Sequence, residues 1–382
     1  MNAGKQSWGR WLRTAGCGLL ALGVTAAWAA YLDSGDGRSD ERVAPPPPPE
    51  RRLPPPDDAA PVRRLARAAE IGTPFYTRGL TVFPLTLGDA WHGDLATLDE
   101  ALREGLLRVL EKPEATVSEL VVENESRRGV LLVSGEILAG GRQNRMVRWD
   151  VLAPPRSGPI TVPVYCGEKE RWTGDTREFK AADAAAQPGL RRDAAMGRAQ
   201  AEIWDGIETQ LKRAGAESKS RDYAQVYREP EVNRHLESVA AECRRGFRGR
   251  TVGFVVMHRS RILGAECFED AEIFGALWPK LIRGYAVEVY GEWADDKAYP
   301  SGVGARDARR FLDEVLEARM IEQSTPGTGQ YYTVSGAATG SALVWNGRVV
   351  HLALFGDPAP RPAPPPPPDR PIPFPRIMED RR

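Results

Sequence analysis

Two proline tracts decide where this chain can fold. Positions 45–61 hold nine prolines and positions 358–375 hold eleven, twenty of the 32 in the chain. Proline lacks a backbone donor and locks φ, so runs such as Pro45–Pro49 and Pro364–Pro368 cannot join helices or central strands. Set among charges, they form solvated polyproline II spacers rising ~3.1 Å per residue. That leaves residues 65–357 as the stretch able to bury a core. With 42% hydrophobic and 27% charged residues, the chain is neither a polytopic membrane protein nor wholly disordered. The 52 basic and 52 acidic residues cancel. No whole-chain field draws it to nucleic acid, and no nucleic-acid partner is expected.

The N-terminus has the layout of an export segment. Lys5, Arg10 and Arg13 precede an uncharged stretch, Thr14–Leu32, and Ala27-Trp28-Ala29 offers a small-x-small cleavage site. At ~1.5 Å per residue the stretch is just long enough to span a bilayer. Residues 1–32 therefore read as a cleaved signal peptide or a retained transmembrane anchor, and both stay open. Either places the rest of the chain on the extracytoplasmic face of a bacterial membrane or in the periplasm, because the basic flank stays cytoplasmic. Cys17 stands at the start of the apolar run, whereas a lipidated cysteine would follow it. Residues 33–64 read as a disordered linker and 358–382 as a disordered tail. That tail is a plain solvated segment or a docking peptide for a protein partner with an aromatic groove.

Between the tracts, strand and helix signals alternate irregularly. Leu80–Leu87 alternates like a strand, with Pro84 confining it to an edge or bulge. Thr97-Leu98-Asp99-Glu100 is a capping box, and Leu98, Leu102, Leu106 and Val109 fall on one helical face after it. Ala115–Val122, Gly129–Leu138, Arg145–Val151 and Ile160–Val164 read as short antiparallel strands. Residues 173–190 form an Ala-rich polar connection. Apolar spacing then predicts helices around Ile203–Leu211, Val232–Val239, Phe274–Leu281 and Phe311–Leu316. Val252–Phe268 predicts a hairpin, as does Leu343–Val350, where Asn346-Gly347 supplies the positive φ angles of a type I′ turn. The order predicts an α+β fold: an antiparallel β-rich core in two parts, split near 173–250, with several packed helices and flanking proline-rich disorder.

Two polar clusters stand out. In Gly135–Arg145, Glu136 ends an apolar strand, Gly140-Gly141 makes a tight turn, and Gln143, Asn144 and Arg145 offer donors for a carboxylate or phosphate. In Val164–Trp172, Glu168, Arg171 and Trp172 could wall a pocket. Cys166 is there a nucleophile or, more plainly, a small buried hydrophobe. The eight candidate ligand contacts are Glu136, Gln143, Asn144, Arg145, Cys166, Glu168, Arg171 and Trp172, with the two clusters expected side by side, Glu136 near Arg171 and Glu168 near Arg145. No metal or cofactor motif appears, and the isolated histidines 92, 235, 258 and 351 read as structural. No catalytic set is assigned. A Cys243–Cys267 disulfide is compatible with export.

The runs LTVFPLTL (80–87), TLDEAL (97–102), VLLVSGEILAGGRQNR (130–145) and VLAPPRSGPITVPVYCGEKERW (151–172) resemble the ARG (ADP-ribosylglycohydrolase) and rhodanese-phosphatase-superfamily-associated protein domain. So do the segment 252–289 and LVWNGRVVHLALF (343–355). The resemblance covers roughly 75–356. It implies a domain identity without an established activity, singles out the eight residues above and, more weakly, adds Trp278, Lys280 and Arg283. The export segment and proline tracts set this chain apart from an intracellular ADP-ribose context. Three functions follow as expectations. The first is an exported, tethered binding module. The second is a hydrolase or transferase on a sugar-phosphate or ADP-ribose-like group, with Glu136 or Glu168 as acid or base. The third is a structural envelope protein. Glu136 and Glu168 within ~5–10 Å of each other would favour the enzyme.

Overall fold

The computed structural model describes residues 57–89, 91–112, 118–173, 176–292 and 304–357. The expected signal or anchor, the linker before 57 and the tail after 357 lie outside the described residues. Among the described residues no helix is long and apolar enough to cross a membrane. The fold is mixed α+β, built on antiparallel sheets, as the order of signals implied.

The larger sheet runs, strand by strand, Glu70–Ile71, Leu80–Thr86, Thr251–His258, Arg261–Cys267, Arg348–Phe355, Thr339–Trp345, Gln330–Ser335 and Arg319–Gln323, with Phe75–Thr77 also on Leu80–Thr86. Its strands are apolar on both faces because both are covered. In Thr251–His258, Phe254 and Val256 enter one core while Val255 and Met257 enter another, the period of two that a pleated strand imposes. Helices Ala60–Ala68 and Ala305–Glu317 cover the second face. The first face meets Ala271–Glu288, a helix buried over most of its surface, as its nearly all-round apolar sequence demands. Gln200–Ala214 and Pro230–Gly246 pack in the same core.

Beyond the central helix lies a six-stranded sheet ordered Phe179–Ala185, Glu136–Gly140, Arg145–Val147, Ser157–Cys166, Glu119–Asn124 and Leu107–Glu111. It curls until its end strands touch: Leu110 bridges Glu178, and the Glu111 amide donates to the Arg177 carbonyl at 2.8 Å. A small sheet (Val151–Ala153, Gly129–Leu132, Leu95–Thr97) fills the concave side with Val130, Leu132 and Val151. Its pair Leu95–Thr97 and Gly129–Leu132 is parallel.

Several local expectations need correction. The helix opened by the Thr97 capping box ends at Arg103; Gly105 turns the chain at φ +69°, and Leu107–Glu111 is a strand. The apolar spacing of Leu106 and Val109 served a strand face as well as a helical one. Gly129–Leu138 is two strands, broken at Val133–Gly135 with Gly135 at φ +90°. The connection 173–190 hides the strand Phe179–Ala185, whose alanines suit close packing against the central helix. Pro84 sits one strand in from the edge, at the gap between Glu70–Ile71 and Phe75–Thr77, where no donor is required of it. The packed unit begins before residue 65, since Ala60–Ala68 buries Val62 and Leu65. The two-part division near 173–250 also shifts, because Leu80–Thr86 pairs with Thr251–His258 across that line. Cys243 and Cys267 lie in cores on opposite faces of the large sheet and are free.

Candidate functional site

The hairpin tip and the Cys166–Trp172 segment do lie side by side. Strand Arg145–Val147 pairs with Ser157–Cys166, so Cys166 stands opposite Arg145, and the Gly167 amide donates to the Asn144 carbonyl at 2.9 Å. Gly141 turns the tip at φ +49°, and a Cβ there would collide with the Phe179 ring and the Glu111 carboxylate. Arg171 Nε donates to both oxygens of Glu168 at 3.0 and 2.9 Å, and Arg171 Nη1 to the Gly141 carbonyl at 2.9 Å. Glu168 also accepts from the Asn144 amide at 3.1 Å. Gln143 Nε2 donates to the Lys169 carbonyl, and its Oε1 accepts from Arg145. Trp172, 42% exposed, lies across the guanidinium groups of Arg142 and Arg145 at 5.6 and 5.9 Å. Seven of the eight candidates therefore share one cluster, and its recorded bonds are mainly internal, the pattern of two loops pinned together. Burial pushes the Cys166 thiol up against the pull of Arg145, which disfavours the thiolate a nucleophile needs.

The eighth, Glu136, sits elsewhere, and the pairing expected for it needs correction. Its strand starts at the end remote from the tip, where the carboxylate meets the central helix: Lys280 Nζ donates to Glu136 Oε1 at 2.6 Å and to Asp99 Oδ2 at 2.5 Å. The Val133 amide occupies Glu136 Oε2 at 2.7 Å. Glu168 pairs with Arg171, and Arg145 lies 3.6 Å from Glu111 instead. Glu136 and Glu168 thus belong to different hydrogen-bonded clusters. Burial alone would discharge Lys280; Glu136 and Asp99 outweigh it and hold the ammonium charged.

Asp99 leads from this ion cluster to a cleft. Where the end strands Leu107–Glu111 and Phe179–Ala185 diverge from their single bridge, helix Leu98–Arg103 spans the gap and leaves a cavity of about 570 Å³. Leu107, Val109 and Phe179 give it an apolar base, while Arg103, Lys180 and Asp183 stand among its rim residues. Asp99 Oδ1 has no hydrogen-bond partner among the described residues. Asp183, at φ +50° in a bulge, pairs with Arg283 at 2.8 Å. Lys280 and Arg283 of the central helix thereby hold Asp99 and Asp183, two of the cleft's three acidic lining residues, from behind, the third being Glu178.

A second buried network ties the sheets together. His351 Nδ1 meets Asp150 Oδ2 at 2.7 Å, its Nε2 meets Glu266 Oε2 at 2.8 Å, and Arg191 makes a two-pronged contact with Glu266. Tyr285 donates its hydroxyl to Glu266 at 2.9 Å, and the Ser134 amide donates to Asp150 at 2.8 Å. Burial alone would push His351 down, but Asp150 and Glu266 raise it to about 9. Burial likewise opposes ionisation of Glu266, yet Arg191 and His351 bring it down to about 2. Two cations and two anions balance with no solvent access, which marks an interlock.

Sequence reasoning missed Asp99, Asp150, Arg191 and Glu266, and read His351 only as an isolated structural residue. The available signal was a charge inside an apolar strand, Glu266 in Ile262–Phe268 and His351 in Val349–Phe355, since a fully buried charge requires a partner. Among the described residues no group of three or more His, Cys, Asp or Glu is placed to hold a metal. The family model of the ARG and Rhodanese-Phosphatase-superfamily-associated Protein domain matches residues 68–355, well over half of the chain. No curated protein and no solved structure matches. The chain belongs to that family of domains.

Proposed function

We propose that this protein is an exported, envelope-tethered binding module whose ligand seat is the cleft between helix Leu98–Arg103 and the diverging strands. One observation carries the reading: the cleft itself, which sets Leu102, Leu107, Val109 and Phe179 among charged lining residues such as Asp99, Arg103 and Lys180. A concave site that combines apolar surface with convergent polar groups is the form a small-molecule pocket takes. Burial pushes the Glu136 carboxyl up, and Lys280 meets both Glu136 and Asp99, so the carboxylate-rich seat favours a hydrogen-bond donor, a hydroxyl or an ammonium. The apolar body of the ligand lies on Leu107, Val109 and Phe179. Lys180 and Arg103 at the rim suit an anionic substituent. The Glu168–Arg171 tip, joined to Phe179 through Gly140, stiffens one wall.

The test is thermal unfolding of the full chain against monosaccharides, sugar phosphates and primary amines. A saturable rise in the midpoint is expected with a donor-bearing compound, lost in Ala181→Trp, which fills the cleft, and weakened in Asp99→Asn. Binding that survives Ala181→Trp unchanged would remove the cleft from the proposal. Export is tested separately, with a reporter joined after residue 357. Activity on the extracytoplasmic side is expected, and activity confined to the cytoplasm refutes the tethered-module reading.

A further inference from the structure

We infer that a groove around Arg148 is a second ligand site, one that takes a small organic anion, a carboxylate or a phosphate ester. The groove has a volume of about 370 Å³, within the ~300–1,000 Å³ common for small-molecule sites. It shares no lining residue with the cleft at helix Leu98–Arg103. The Arg148 guanidinium lies 4.8 Å from the centre of the Trp149 ring and 5.3 Å from that of Tyr165. Both rings are fixed: Trp149 stacks on buried Tyr331 at 5.8 Å and 27°, and the Tyr165 hydroxyl donates to the Arg198 carbonyl at 2.8 Å. Gly197, at φ +68°, lets the backbone pass close by, since a Cβ there would stand 3.2 Å from Arg148 Nη2. These contacts orient the planar fork without using its donors. Among the described residues no carboxylate pairs with Arg148, and its Nε meets no acceptor. By contrast Arg145, Arg171 and Arg191 each meet a carboxylate, of Glu111, Glu168 and Glu266. Ring contacts return only part of what a half-buried guanidinium loses on leaving water, and an anion in the groove would return the rest.

The facing wall has matching chemistry. Tyr331 packs on Trp149, so the pleat turns Thr333 and Ser335 of the same strand to that side, and Thr339 stands opposite Ser335 in register. All three hydroxyl residues line the groove, together with Gln323. Arg319, opposite Ser335 on the neighbouring strand, brings a second cation to this face. None of the lining residues is acidic. Asp193 and Glu202 act on the Tyr165 hydroxyl but do not line the groove. Trp149 and the 44% exposed Met196 supply apolar surface for the body of the ligand. A pre-oriented guanidinium binds a carboxylate or phosphate with two parallel hydrogen bonds, and the neutral hydroxyls and amide add donors without repelling the charge.

Saturation-transfer NMR on the full chain tests this with two anionic probes, benzoate and phenyl phosphate, each beside its neutral counterpart, benzamide or phenol. At least one anion should bind saturably and about tenfold or more tighter than its counterpart, the margin of a charge-assisted hydrogen-bonded pair. Arg148→Met should remove that preference. Ser335→Trp, at an exposed position on the other wall, should block the groove while leaving Arg148 in place, and it decides the matter if Arg148→Met does not fold. Ala181→Trp, which fills the cleft, should leave the anion bound. Neither anion binding, neutral counterparts binding as tightly, or binding unchanged in folded Arg148→Met or in Ser335→Trp would each overturn the assignment. An anion lost in Ala181→Trp would also overturn it and would place that anion in the cleft, so failure here and failure of the cleft reading are distinguishable.

Discussion

Glu266 and His351 show how far single residues could be read. Each interrupts an otherwise apolar strand, so burial and pairing were foreseeable, but the identity of the partners was not. Asp150, Arg191 and Tyr285 converge on them from a loop and two helices far apart in sequence. The eight-residue candidate set had the same character: local pairing such as Glu168 with Arg171 follows from adjacency, while the link from Glu136 to Lys280 crosses 144 positions. The His351 network predicts a pH effect whose sign is fixed. An unfolded histidine titrates near 6.5, and His351 in the fold titrates at about 9. Its stabilisation is complete below the unfolded value and disappears as pH climbs through about 9, a loss on the order of 1–3 kcal/mol. Glu266 acts on the opposite side: its contribution is present above the ordinary carboxylate range and is lost only as pH falls through about 2. Urea unfolding of the full chain should thus weaken between pH 6.5 and 9, and His351→Gln should flatten that slope while lowering stability at neutral pH. A wild-type curve level across the window would show that His351 is not charged in the fold.

Elements were legible where turn or cap chemistry fixed them. Asn346 and Gly347 take φ angles of +50° and +70°, giving the tight hairpin that the dipeptide demands. The Thr97 box forms with both reciprocal bonds, 3.0 and 3.3 Å. Apolar spacing failed where periods of two and 3.6 coincide, as at Leu106 and Val109, and where alanine replaced β-branched residues, as in Phe179–Ala185. The strongest cap was not read from sequence at all. Asp270 opens the central helix by accepting from the Glu272 and Ile273 amides at 2.9 and 3.3 Å, and its second oxygen takes the Gly93 amide at 2.8 Å. Thr97→Ala should cost about 1 kcal/mol, a typical cap loss. Asp270→Ala leaves a buried Gly93 donor unpaired as well and should cost about 2–4 kcal/mol. Chemical denaturation of both variants checks the ranking, and equal losses would mean that the Gly93 bond contributes nothing.

For the whole molecule, composition opens the folded region at residue 65, whereas the helix Ala60–Ala68 before it is already packed. The prolines at 54–56 and 61 drew the expected boundary to residue 65. Pro61, however, occupies the first turn of a helix, where its missing donor is harmless. That helix is fastened along its length: Arg63 Nε donates to the Leu316 carbonyl at 3.1 Å, Arg309 donates to the carbonyls of Ala66 and Ala69, and Tyr332 donates to the Asp58 carbonyl at 3.0 Å. Val62 and Leu65 are buried against the large sheet. Cleavage by a protease needs an extended, unprotected backbone, which proline-rich solvated tracts offer and this helix does not. Limited proteolysis of the full chain should therefore leave a core that starts close to residue 57 and ends close to 357, despite Arg63, Arg64 and Arg67 being sequence sites for trypsin. Trimming that proceeds to about residue 70 while the rest stays folded would show that the helix detaches from the sheet.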